Sequence, residues 1–266
     1  MTVPSARGGQ VRYEVVRRSA VITIDNPTRR NAMTYPMIEA MYAHLVTAAE
    51  SPEVRTVVLT GEGDAFCAGI DLAFLESIPP EERGIKVPTM NDEGLWNISA
   101  CPKPVIVACD GPAVGMGAEL TSHGDVRIAT SRARFAWNFA HRGLVPDTGA
   151  GSWLLPRQIG LQPALRLLFS GAWMQAAEAL ELGYVCQLIE PGDLLDAALT
   201  EAERFHAGSP LSHRLTKQLL YAGLSRSVLE HQLASRETLL ACFRSADHAE
   251  GIAAFTQNRK PDFTGK

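Results

Sequence analysis

Hydrophobic positions change their period along the chain, and the changes mark out elements. Val11 to Val16 and Ala20 to Asp25 are short apolar runs on either side of the polar Arg17-Arg18-Ser19, which predicts a hairpin behind a frayed, small-residue N-terminus. Thr34 is placed to cap a helix from Tyr35 to Glu50, with Ile38, Met41, Leu45 and Ala48 recurring on one face. Val54 to Thr60, Val105 to Cys109, Val126 to Ala129 and Ala133 to Trp137 read as strands, Val105 to Cys109 as a buried one. From Trp153 onward the period is helical: Pro156 interrupts one helix, Leu161 to Phe169 and Met174 to Leu182 follow, and Gly171 and Gly183 stop them. A strand at Tyr184 to Ile189 closes the sheet region, and helices are expected over 193–207, 211–224, 226–246 and 248–258. Strands first and helices last imply an α/β core over 1–192 with a helical appendage over 193–266.

Two stretches share one design. Residues 57–76, VVLTGEGDAFCAGIDLAFLE, and 103–128, KPVIVACDGPAVGMGAELTSHGDVRI, each run from apolar strand through a glycine turn to a helix start. Glycine lets the backbone approach a ligand closely, and helix starts present N–H groups with no intrahelical partner. Two such loops could give one N–H apiece to a single oxygen bearing developing negative charge. Glu119, in the first turn of the second helix, is then a base or proton shuttle; read plainly, it is a solvated carboxylate that suits the helix dipole. His123 reads as a packed or capping residue at that helix's exit. Asp147, after Pro146 in a loop with Gly143, Gly149 and Gly151, reads by itself as a turn or cap residue.

Composition narrows the setting. A chain of 266 residues that is 46% hydrophobic can bury a full core. A net charge of −4 without any Lys/Arg block argues against a nucleic-acid partner. The five cysteines (67, 101, 109, 186, 242) are scattered without ligand spacing, and read as reduced core or site-lining thiols in a cytoplasmic protein. No apolar run reaches the ~18 residues of a membrane span. GxxxxGK[ST], HExxH and GxSxG are absent, and GPAVGMG does not satisfy GxGxxG.

AFCAGIDL at 65–72 and KPVIVACDGPAVGMGAEL at 103–120 resemble the two signature segments of the crotonase superfamily, the enoyl-CoA hydratase/isomerase family. Supporting segments stand in the same order: ITIDNPTRRNAMT at 22–34, GLVPDTGAGSWLLPRQIG at 143–160, FSGAWMQAAEALELGYVCQLIEP at 169–191 and EGIAAFTQNRKPDF at 250–263. The resemblance implies a crotonase (ClpP-like) spiral of ββα units whose C-terminal helices pack on neighbouring subunits, in a homotrimer or a hexamer made of two trimers. It implies an acyl-CoA thioester as substrate, coenzyme A being part of that substrate, with no metal or redox cofactor. Carried onto this sequence, it makes the backbone N–H groups of Ile70 and Met116 the oxyanion hole, and Glu119 and Asp147 the acid/base residues. Arg30, Ala32, Ala68, Leu72, Gly115, Phe139 and Lys260 would line the acyl-CoA, with Asn258 standing where a basic residue is common.

The pattern departs from a two-glutamate hydratase at one place. The second glutamate would fall four residues after Phe135, and that position is Phe139. One carboxylate alone can still move a proton between carbons 2 and 4 of an enoyl thioester, so isomerisation or an atypical hydration is expected, ahead of hydration in fatty-acid degradation proper. Hydrolysis of a thioester or C–C bond through His141 and Asp147 is a further alternative, and a non-catalytic acyl-CoA- or RNA-binding homologue another. The segment 76–98, rich in Pro and Glu, is expected to form the rim that selects the acyl chain.

Overall fold

The computed structural model describes residues 9–83, 97–146 and 148–266. The expected rim (76–98) falls largely outside the described residues, and so does Asp147. Among the described residues, six strands form the main sheet in the order β1-β2-β3-β4-β6-β9: β1 Gln10–Val16, β2 Ser19–Asp25, β3 Thr56–Gly61, β4 Val105–Cys109, β6 Val126–Thr130 and β9 Gln187–Ile189. β1 and β2 form the expected antiparallel hairpin, turning through Arg17 and Arg18 at φ 48° and 60°, and every later pairing is parallel.

Parallel strands covered on both faces should be apolar throughout, and β4, Val-Ile-Val-Ala-Cys, is buried at every position. Its alternate residues serve different layers. Val105, Val107 and Cys109 join Val57 and Leu59 in the large core with α1 (Tyr35–Glu50), whereas Ile106 and Ala108 join Val58 and Ile128 on the opposite face. That second face is closed by Leu194, Ala198, Leu199 and Ala202 of α9 (Leu194–His206). α1 has the bounds the period gives, but Thr34 occupies its N-cap without a side-chain cap hydrogen bond, the start being set by Pro36 in the first turn.

A smaller sheet, β5 (Pro112–Val114), β7 (Arg134–Ala136) and β8 (Met174–Gln175), corrects the sequence reading at two places. The stretch expected as turn after Gly111 is β5, running parallel to β7, and Met174 and Gln175, expected as helix, pair antiparallel with β7. Pro112 is tolerated because a strand's first residue can forgo its N–H.

The remaining helices are α2 (Leu72–Glu76), α3 (Asn97–Ala100), α4 (Met116–His123), α5 (Ala150–Trp153), α6 (Leu155–Ile159), α7 (Leu161–Ser170), α8 (Ala176–Glu181), α10 (Pro210–Gly223), α11 (Val228–Phe243) and α12 (Ala246–Thr256). Ser209, Ser227 and Ser245 cap the last three with their side chains. Buried Lys217 on α10 reaches Asp125 at 2.7 Å, fastening that helix to the turn before β6. Cys67, Cys101 and Cys109 are buried as expected; Cys186 is exposed and Cys242 half-buried, so these two are not core thiols.

Candidate active site

The two glycine loops are sewn together by backbone hydrogen bonds. Phe66 and Cys67 donate their N–H groups to the Pro112 carbonyl at 3.2 Å each, and Val114 N–H donates to the Cys67 carbonyl at 2.9 Å. Gly117, in the first turn of α4, lies so close to the Cys67 carbonyl that a Cβ there would run into it. Gly69 takes φ +94°, and a Cβ on it would stand 2.8 Å from the Val114 carbonyl oxygen and 3.7 Å from the Met116 nitrogen. The peptide between Gly69 and Ile70 therefore lies beside the first N–H of α4.

Neighbouring contacts orient both groups. Met33 N–H donates to the Gly69 carbonyl at 2.8 Å, and Asp71 N–H donates to the Met33 carbonyl at 2.9 Å. In such a parallel bridge the flanking residues make the bonds, so the N–H of Ile70 itself is turned away from Met33. Met116 opens α4, where N–H groups lack intrahelical partners, and Gly115 before it takes φ 55°, ψ −121°, a conformation open to glycine. Ala68 N–H donates to the Arg30 carbonyl at 2.9 Å, which brings Arg30 and Ala32 to the same loop. Asp71, 2% exposed, caps α2 through Phe74 N–H and meets the Arg29 guanidinium at 3.4 Å. Leu72, next to it, is half exposed.

Glu119 is fully buried, one turn into α4. The solvated first-turn carboxylate is thereby excluded. Thr148 Oγ1 donates to Glu119 Oε2 at 2.6 Å, while Gly151 lies so close to Oε1 that a Cβ there would collide with it. Thr148 Oγ1 is also 3.1 Å from His123 Nε2, and His123 Nδ1 is 3.5 Å from Ser99 Oγ, which donates to the His123 carbonyl at 3.2 Å. Burial disfavours the imidazolium and pulls the His123 pKa down to about 3. Burial likewise pushes the Cys67 thiol up to about 12, which removes it as a ready nucleophile. The buried Phe139 ring comes within 4.0 Å of the place a Cβ on Gly115 would take, so an aromatic edge stands at the mouth of the donor turn. Among the described residues no group of His, Cys, Asp and Glu is placed to hold a metal ion.

This arrangement offers two adjacent main-chain donors with one buried carboxylate beside them. A family model for enoyl-CoA hydratase/isomerase matches residues 17–266. The chain belongs to the enoyl-CoA hydratase/isomerase family.

Relatives of the chain include the 1,2-epoxyphenylacetyl-CoA isomerase of Escherichia coli, 34% identical over 92% of the chain and 94% of the relative. The short-chain-enoyl-CoA hydratase of Clostridium acetobutylicum is 31% identical over 91% and 92%. Its fold is the crotonase fold: an enoyl-CoA hydratase from Bacillus anthracis superposes with a TM-score of 0.90 at 27% identity, over 96% of the chain and 99% of that structure. No helix among the described residues is long and apolar enough to cross a membrane.

Two of the candidate residues, His141 and Lys260, are exposed. The exposed His141 packs its ring against Gly171 at the end of α7. Lys260 is exposed on the C-terminal segment, whose neighbours Arg259 and Asp262 bind Glu250. Arg29, one residue before Arg30, holds Asp71. Thr148 and Ser99 carried no sequence signal. His123 did carry one: it stands four residues after Glu119 and so shares its helix face.

Proposed function

We propose that the chain isomerises the double bond of an enoyl-CoA thioester, with Glu119 as the proton-carrying base. The observation that carries this reading is the pairing of a fully buried Glu119 with a buried aromatic, Phe139, where a two-glutamate hydratase would place its second carboxylate. The thioester oxygen would lie between the N–H groups of Ile70 and Met116, with Arg30 at the coenzyme A phosphates, Ala68 facing the adenine, Ala32, Leu72, Gly115 and Phe139 along the rest of the acyl-CoA, and Lys260 closing the coenzyme A end. Loss of a proton from carbon 2 then leaves an enolate whose charge falls on that oxygen, each donor contributing about 2.7–4 kcal/mol in the transition state. Glu119 returns the proton at carbon 4, or takes it from carbon 4 and returns it at carbon 2. Both atoms lie on one allylic system, so one carboxylate serves both ends.

Relatives named as an isomerase and as a hydratase support the common enolate step. An atypical hydration, with Asp147 as the partner that activates water, is the second reading; it is favoured by the position of that residue in the glycine loop. Incubation with a 2-enoyl-CoA and separately with a 3-enoyl-CoA, followed by mass analysis, tests both. Conversion of the 3-enoyl isomer at unchanged mass is expected, and E119Q should lower its rate by about 10²–10⁴-fold. Gain of one water by the 2-enoyl substrate without any isomerisation would replace this reading by hydration.

A further inference from the structure

Glu119 has no surface of its own in contact with solvent, yet its side chain begins a chain of polar groups leading away from the donor loops. Thr148 Oγ1 touches Glu119 Oε2 at 2.6 Å and His123 Nε2 at 3.1 Å. The other face of the same ring meets Ser99 Oγ at 3.5 Å, and Ser99 shares the lining of one cavity with Tyr221. Ser99, Lys217 and Tyr221 line a cavity of about 700 Å³ between α3, α10 and α11. We propose that Thr148, His123 and Ser99 form a proton relay through which Glu119 exchanges its proton with solvent at this second cavity. The inference rests on Glu119 being the base of the reaction.

The chemistry balances without any imidazolium. When Glu119 is ionised, Thr148 donates to it, the ring donates from Nε2 to Thr148, and Ser99 donates to Nδ1. When Glu119 carries a proton, every bond reverses: the carboxyl O–H passes to Thr148 Oγ1, the threonine's own proton passes to Nε2, the Nδ1 proton passes to Ser99 Oγ, and the serine proton leaves toward Tyr221 and the cavity. Four bonds to hydrogen break and four form, one proton is displaced, and no electron pair is transferred. Ser99 Oγ has a second acceptor at hand, the His123 carbonyl at 3.2 Å, so its hydroxyl can turn between the two states. The ring changes tautomer and stays neutral, which suits its burial.

The test separates transfer within the substrate from exchange with solvent. A 3-enoyl-CoA is isomerised in D₂O, and mass spectrometry of the product gives the ratio of deuterated to protium-retaining molecules. The unmodified protein should yield both, and T148V and H123L should lower the ratio by about tenfold, while T148S keeps it. An unchanged ratio in both T148V and H123L, including the case where their rates fall with the ratio fixed, overturns the relay and leaves these residues a positioning role. A product of the unmodified protein free of deuterium overturns it as well. Undiminished turnover by E119Q overturns the proposed base and the relay together, and that variant is scored by rate alone, so the two failures are told apart.

Discussion

His123 makes stability depend on acidity in a stated direction. An ordinary histidine takes up its proton near 6.5, whereas burial holds this one down to about 3. Between those values the unfolded chain binds a proton that the folded chain refuses, so stability is whole above about 6.5 and falls as pH drops through the window, by about 1.4 kcal/mol per pH unit. Denaturant unfolding of the unmodified protein and of H123Q at pH 7 and pH 4.5 checks this; the loss between the two pH values should be smaller by that slope in the variant, and equal losses would refute the assignment. At this scale the sequence is uneven in what it discloses. Glu119 is legible because it stands in the segment 103–120 that resembles a family signature, whereas Thr148 is one hydroxyl residue in a loop and comes to Glu119 only through folding, 29 positions away in the chain.

The seam between the two glycine loops is a property of elements, and it predicts unequal glycines. A methyl on Gly117 meets the Cys67 carbonyl, which is backbone and cannot swing aside. G117A should therefore cost about 1–3 kcal/mol in stability, by the rule for overpacking, and should also slow turnover, since the shift falls on the start of α4. At Gly192, where nothing lies within 4 Å, G192A should stay within about 0.5 kcal/mol of the unmodified protein. Thermal unfolding and the isomerisation rate of both variants check the pair. The long strands were readable because a sheet covered by α1 on one side and α9 on the other demands continuous apolar runs. β5 and β8 were not, since three residues beginning with proline and two residues ahead of a helix show no period at all.

Across the whole molecule, α11 stands out as a helix whose residues are never buried, although it carries Val228, Leu229, Leu233, Leu239, Leu240 and Phe243. Val228 is 87% exposed and Leu229 65%. A monomer gains nothing from presenting such a surface, and its expected cover is neighbouring subunits. Light scattering on purified protein should give a trimer or hexamer of the 28.8 kDa chain, and L233E with F243E should lower that mass while the helical circular dichroism persists. A monomer before substitution would refute the assembly. The seam has one more consequence. The proposed anion donors belong to peptide units, so no change of side chain short of proline removes them. Inherited variation can thus recast the surroundings of the acyl group while the means of holding its enolate passes on unaltered, and a gene of this kind is a ready starting point for new reactions of the same thioester.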